Sequence, residues 1–194
     1  MNKNDLRYIK TEQQIKEAFY ELVNQKGFDQ VTISMICKKA FISRFTFYSH
    51  YTDKFQLLQS LFEELERNLN ESVNAYLLEE ARKGDFKEAA KRCIQDTLTY
   101  KKEFQVLMKC NRDQFTSVIE KTYFDIPTSM YVKNYAKRKQ DERIRLWKAY
   151  LISGLIGFLE EALSDKNRMK EEELIEQLYS LINQASTYFT KLVD

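Results

Sequence analysis

Proline occurs once in this chain of 194 residues, at position 127, and glycine only four times. So few chain breakers exclude a fold of many short strands, which needs such residues at its turns. Three cysteines, Cys37, Cys93 and Cys110, are odd in number, widely spaced and without a CxxC pair, and a single histidine, His50, stands apart from them. That excludes a disulfide framework and a zinc site, and the thiols read as reduced and buried, with no metal and no cofactor. No Gly-rich phosphate loop or paired catalytic constellation can be assembled, so the chain does not read as an enzyme. Long apolar runs are missing too. The longest, Ala149 to Leu159, falls short of the roughly 20 residues that span a bilayer, and the opening MNKNDLRYIK has no apolar signal-peptide core. A cytoplasmic protein without a membrane partner is expected.

What is present points to helices. Hydrophobic residues make up 43% of the chain and charged residues 31%, a composition suited to a mostly α protein with a real core. Net charge is only +2, but residues 1 to 58 hold nine Lys/Arg against six Asp/Glu, so the basic excess lies at the start. Such an excess is the electrostatic footprint of nucleic-acid binding.

Apolar spacing predicts a first helix over 5–26, stopped by Gly27, with Ile15, Ala18, Phe19, Leu22 and Val23 on one face. Thr32 N-caps a short helix over 33–40, and Ser43 N-caps another ending between His50 and Thr52. A long helix follows from Asp53 to about Lys83. Two short helices after a longer one, separated by three or four residues, make a trihelical helix-turn-helix unit. Beyond it, Asp85 and Glu88 read as a capping box opening one helix to about Cys110, followed by shorter helices over 113–125 and 128–139 around Pro127.

The last two helices carry bundle patterning. The segment around YLISGLIGFLEEAL is apolar nearly all round, and the final helix repeats Leu174, Leu178, Leu181, Ala185, Tyr188 and Leu192. A helix of that kind needs cover on two sides. One solution is a two-fold four-helix bundle with a second subunit, using Leu151, Gly154, Leu155, Phe158, Leu178, Leu181, Ala185 and Tyr188. The other is that both faces are covered within one chain.

Residues 32–58, TISMICKKAFISRFTFYSHYTDKFQLL, resemble the DNA-binding signature of the TetR family of bacterial transcriptional regulators. The shared features are a Thr-capped helix, an Ala before the turn, Ser opening the recognition helix, then aromatic-Tyr-x-His-aromatic and Asp-Lys ahead of a Leu pair. Two residues depart from the pattern: Phe41 stands at a turn position where the family usually has Gly, and Phe45 stands where Gly or Ala is common. The resemblance implies an all-α homodimer with a helix-turn-helix DNA-binding domain over 1–52 and an effector-binding and dimerisation domain over 53–194. It further implies a repressor that binds a palindromic operator and is released by a small-molecule effector.

The residues support the DNA-binding part directly. Ser43, Arg44 and Thr46 supply the short polar or basic side chains that a groove-entering helix needs at its N-terminal end. Arg44 has two readings, a bidentate contact to guanine or a phosphate contact. Phe45 has two readings, altering how deeply the helix enters the groove or touching a thymine methyl. Thr32, Tyr48, His50 and Lys54 read as contacts to the DNA backbone, and a lysine in the first turn of a helix opposes the macrodipole unless an anion sits there. Phe47, Tyr51 and Cys37 belong to the trihelical core by their spacing. Phe104, Met108, Tyr123, Phe124, Tyr131, Trp147 and Tyr150 are candidates for lining an effector pocket, with ordinary core packing as the alternative. For the whole chain the competing reading is a helical interaction module that keeps the fold without sequence-specific DNA reading.

Overall fold

The computed structural model describes residues 6–80, 86–125 and 141–193, without the side chains of 75–80, 86 and 186–193. Among these residues there are only helices and their connections: α1 (Leu6–Lys26), α2 (Ile33–Lys39), α3 (Arg44–His50), α4 (Lys54–Glu80), α5 (Phe86–Thr99), α6 (Lys101–Cys110), α7 (Arg112–Glu120) running into a π-turn (Lys121–Asp125), α8 (Glu142–Ala162) and α9 (Glu171–Val193). The all-helical expectation holds, and α1 to α4 fall within a few residues of their expected ends. The helix expected over 128–139, and the capping role of Asp85, lie outside the described residues.

One expected element is divided. The helix predicted from Asp85 to Cys110 is interrupted at Tyr100. Thr97 turns its hydroxyl back to the carbonyl of Cys93 at 2.7 Å, a bond that bends helices, and Thr99 adds a second β-branched residue of low helix propensity.

The chain divides into two compact units, one of residues 1–65 with 102–115, the other of 66–101 with 116–194. In the first, α1 lays Ile15, Phe19 and Val23 against a core that includes Ile36, Phe47, Leu57 and Leu61, all at most 1% exposed. Phe104 and Phe115, both fully buried, meet edge to face with ring centres 5.2 Å apart. Lys109 reaches Asn24 at 2.8 Å, Gln114 reaches Gln59 at 2.9 Å, and Lys102 pairs with Glu17, so the residues from 102 onward close the same unit that α1 begins.

In the second unit α9 packs on α5 and α8. A buried polar cluster sits there: Asp96 accepts from the Ser72 and Tyr123 hydroxyls, both at 2.8 Å, and burial raises its carboxyl above the usual range. The π-turn presents Tyr123 to this cluster and lets Thr122 donate to Asn70 at 3.0 Å. Buried polar groups need such partners.

The turn between α2 and α3 holds the one positive φ outside glycine among the described residues. Phe41 sits at φ 55°. Its N–H reaches the Lys38 carbonyl at 3.4 Å and the Ile42 N–H reaches that of Cys37 at 3.0 Å, the paired bonds of a Schellman cap, in which glycine ordinarily takes the left-handed place. A side chain there costs about 1–2 kcal/mol, while the extra freedom of glycine in the unfolded chain returns about 0.4–1 kcal/mol of it. Phe41→Gly is therefore expected to stabilise the protein by about 0.5–1 kcal/mol, raising the melting temperature by about 1–4 °C; an unchanged or lower melting temperature would show that the ring makes a compensating contact.

Candidate nucleic-acid interface

Both short helices of the first unit are fixed by their caps. Thr32 accepts from the Met35 amide at 3.3 Å, and Ser43 accepts from the Thr46 amide at 3.0 Å while its oxygen lies 2.9 Å from the Thr46 hydroxyl. Each cap satisfies an amide that would otherwise be orphaned at the helix start. The sequence placed these two residues at helix starts, and both are exposed there.

On α3, Phe47 is fully buried between the rings of Tyr48 and Tyr51, at centre distances of 5.8 and 6.0 Å. Burying that side turns Arg44, Phe45 and Tyr48 outward, since residues three and four apart share a helix face. All three are exposed, Phe45 at 85%. Thr46 is half-buried beside its cap. The expected assignment of Phe47, Tyr51 and Cys37 to the core holds. Arg44 donates to the Ser34 hydroxyl on α2, a neighbour that sequence spacing did not single out, being ten residues away and joined only through the turn. An exposed bond of that kind contributes about 0.5–1.5 kcal/mol, little enough for a guanine edge to displace.

Two residues expected at the DNA backbone have partners within the protein. The Lys54 amine is gathered by the carbonyls of Phe28, Asp29 and Val31 at 3.0, 3.3 and 3.0 Å and lies 4.5 Å over the Phe28 ring. These acceptors and the ring face answer its charge, so the anion argued from its place at the start of α4 is not required. The helix start itself is capped by Asp53, which accepts from the Phe55 and Gln56 amides at 2.8 Å. His50 lies against α1, its ring stacked on Tyr8 with centres 3.9 Å apart, and neither ring nitrogen has a hydrogen-bond partner.

Burial holds the His50 pKa below its ordinary 6.5, opposed in part by the nearby Glu12 carboxylate. The folded protein thus takes up this proton less readily than the unfolded chain, so the contribution of His50 to stability is complete above 6.5 and diminishes as pH falls below it. Melting temperatures compared between wild type and His50→Gln from pH 7.5 to 5 are expected to show a steeper acid loss in wild type. Parallel curves would mean that the stacked ring titrates normally.

A network on α1 reaches the end of α3. Tyr51, at the end of α3, donates to Glu12 at 3.2 Å; Lys16 binds both Glu12, at 3.1 Å, and Glu64 of α4, at 2.6 Å. The half-buried Lys16 thus ties α1 to α4, and Glu12 joins Tyr51 to the same network. The burial of Lys16 is offset by the two carboxylates, and its pKa is raised on balance.

The expected effector residues are divided between the two units. Phe104 and Met108 are buried in the first unit, where they complete its core. In the second, Phe124 is buried with its ring 5.5 Å from that of Trp147, Tyr123 bonds to Asp96, and Tyr150 is 77% exposed. Tyr131 lies outside the described residues. Of the proposed dimer face, Leu178 is 2% exposed and faces its own subunit. The pattern could not tell the two apolar sides of α9 apart. Leu151, Leu155, Phe158 and Ala185 are half-buried, Gly154 is exposed, Leu181 is 52% exposed, and the side chain of Tyr188 is outside the described set.

Comparison with known proteins agrees with this geometry. Residues 15–61 match the model of the family "Bacterial regulatory proteins, tetR family". The chain is 35% identical over 86 residues to the uncharacterised HTH-type transcriptional regulator YxbF of Bacillus subtilis (strain 168); this covers 41% of the chain but only 23% of that relative. The chain thus spans about a quarter of the length of the curated relative it matches. Its fold is similar to that of a TetR transcriptional regulator from Streptococcus agalactiae 2603V (TM-score 0.62, 23% identity, 90% of this chain and 94% of that one). It is also similar to a structure assigned to the TetR family from Syntrophomonas wolfei, strain Goettingen (TM-score 0.69, 16% identity, 92% and 96%).

Proposed function

We propose, from the match of residues 15–61 to the model of the family "Bacterial regulatory proteins, tetR family", that the protein is a sequence-specific DNA-binding transcriptional regulator that reads a palindromic operator as a homodimer. The observation that carries this is the outward face of α3, where Arg44, Phe45 and Tyr48 stand exposed on a helix held from behind by Phe47 and capped by Ser43. A helix so fixed can be laid in a major groove without reorganising. Two subunits would read half-sites about one helical turn, or 34–36 Å, apart.

Support for the dimer comes from α8. Its buried side is Ile144, Ile152, Ile156 and Leu159, whereas Leu146 and Tyr150 are 70% and 77% exposed, and Gly154 and Gly157 have open space where a side chain would stand. A bare, mostly apolar face with a glycine strip suits close approach of a second copy. We assign the effector, a small molecule whose binding releases the operator, to the second unit, with Tyr123, Phe124 and Trp147 as its candidate contacts. Repression is the sign of regulation that this release implies.

The test is to incubate the purified, reduced protein with a randomised duplex library at near-physiological salt and to sequence what is retained. Enrichment of a palindrome is the expected result. Retention without an enriched motif would favour instead the helical interaction module, for which Phe41 and Phe45, exposed at 94% and 85%, would be the docking residues.

A further inference from the structure

We propose that Phe45 is a specificity-determining residue that reads the 5-methyl group of a thymine in each operator half-site; this rests on the DNA-binding reading above. Phe45 is the second residue of α3, in the N-terminal turn from which recognition helices touch base edges. At 85% exposed it makes no ring contact among the described residues, whereas Phe47, two positions on, is fully buried. Its side chain can neither pair with a phosphate nor take part in the donor and acceptor code of the bases. The thymine methyl is the apolar group that the major groove offers it, and a cytosine at the same place presents an amino donor instead.

The neighbours fix the ring's place. Ser43 bonds to Thr46 at the cap, and Arg44 is drawn across to Ser34 on α2. Phe45 therefore stands between two polar side chains that are already engaged. A phenyl ring has two rotatable bonds and loses little freedom on contact. Against a methyl group the ring contributes apolar burial and favours one base.

The experiment uses the full chain and the duplex recovered from the library selection. Deoxyuridine, which lacks only the methyl, replaces each half-site thymine in turn. At one thymine per half-site, wild type is expected to weaken about fourfold per methyl, about fifteenfold when both half-sites are changed. Phe45→Ala should bind the thymine duplex more weakly than wild type and be indifferent to deoxyuridine at that position, and Phe45→Leu should fall between. Unchanged melting temperatures would confirm that both variants fold, as expected for an exposed side chain. Equal deoxyuridine losses in wild type and Phe45→Ala, or no methyl-sensitive thymine, would overturn the assignment and leave the regulator reading intact. A library yielding no palindrome would overturn both.

Discussion

Phe47→Ala is expected to cost the protein about 3–5 kcal/mol of stability, the usual toll for removing a fully buried aromatic side chain. The ring is 0% exposed and is the hub by which a seven-residue helix, too short to persist alone, is held to the rest of its unit. Against the total of roughly 5–15 kcal/mol that proteins possess, the loss leaves α3 frayed or the first unit open. Urea denaturation with intrinsic fluorescence measures the first; DNA binding, lost in parallel on cognate and random duplexes, measures the second. Phe47→Leu keeps much of the volume and should recover more than half of the loss. A melting curve unchanged by Phe47→Ala would mean that α3 is anchored by its caps and by Tyr51, and the account of its outward face would have to be redrawn.

Arg44→Ala is expected to weaken binding to the selected operator while leaving the fold intact, since Arg44 is exposed and bonds to the Ser34 hydroxyl. A bidentate guanine contact carries about 1–3 kcal/mol of discrimination, so two half-sites together lose about 2–6 kcal/mol, roughly 30-fold to 25,000-fold. Random duplex should lose much less. Equal losses on both duplexes would reassign Arg44 to a phosphate, in which case the slope of affinity against salt falls by about two for the dimer. Fluorescence anisotropy at several salt concentrations separates the outcomes.

The contrast between Thr32 and Lys54 shows what sequence could and could not reveal. A capping hydroxyl finds its amide three residues away, and the local rule that predicts it is the rule that operates in the fold. Phe47 and Tyr51 were legible for a similar reason, since helical periodicity places them on the inner side. The partners of Lys54 are backbone carbonyls 23 to 26 residues earlier, and no periodicity encodes where a loop turns its oxygens. The stacking partner of His50 was hidden likewise, because Tyr8 lies on another helix. Leu178 marks a different limit: when both faces of a helix are apolar, pattern shows that both are covered and leaves open by what.

The unit that holds α3 is made of two stretches of chain, 1–65 and 102–115, and Phe104 and Phe115 are as deeply buried in it as Phe47. During synthesis the first stretch leaves the ribosome with part of its apolar interior still untranslated. The packing of α3 therefore waits on codons well downstream of its own, and a gene cut after residue 65 encodes an opened core in place of a portable module.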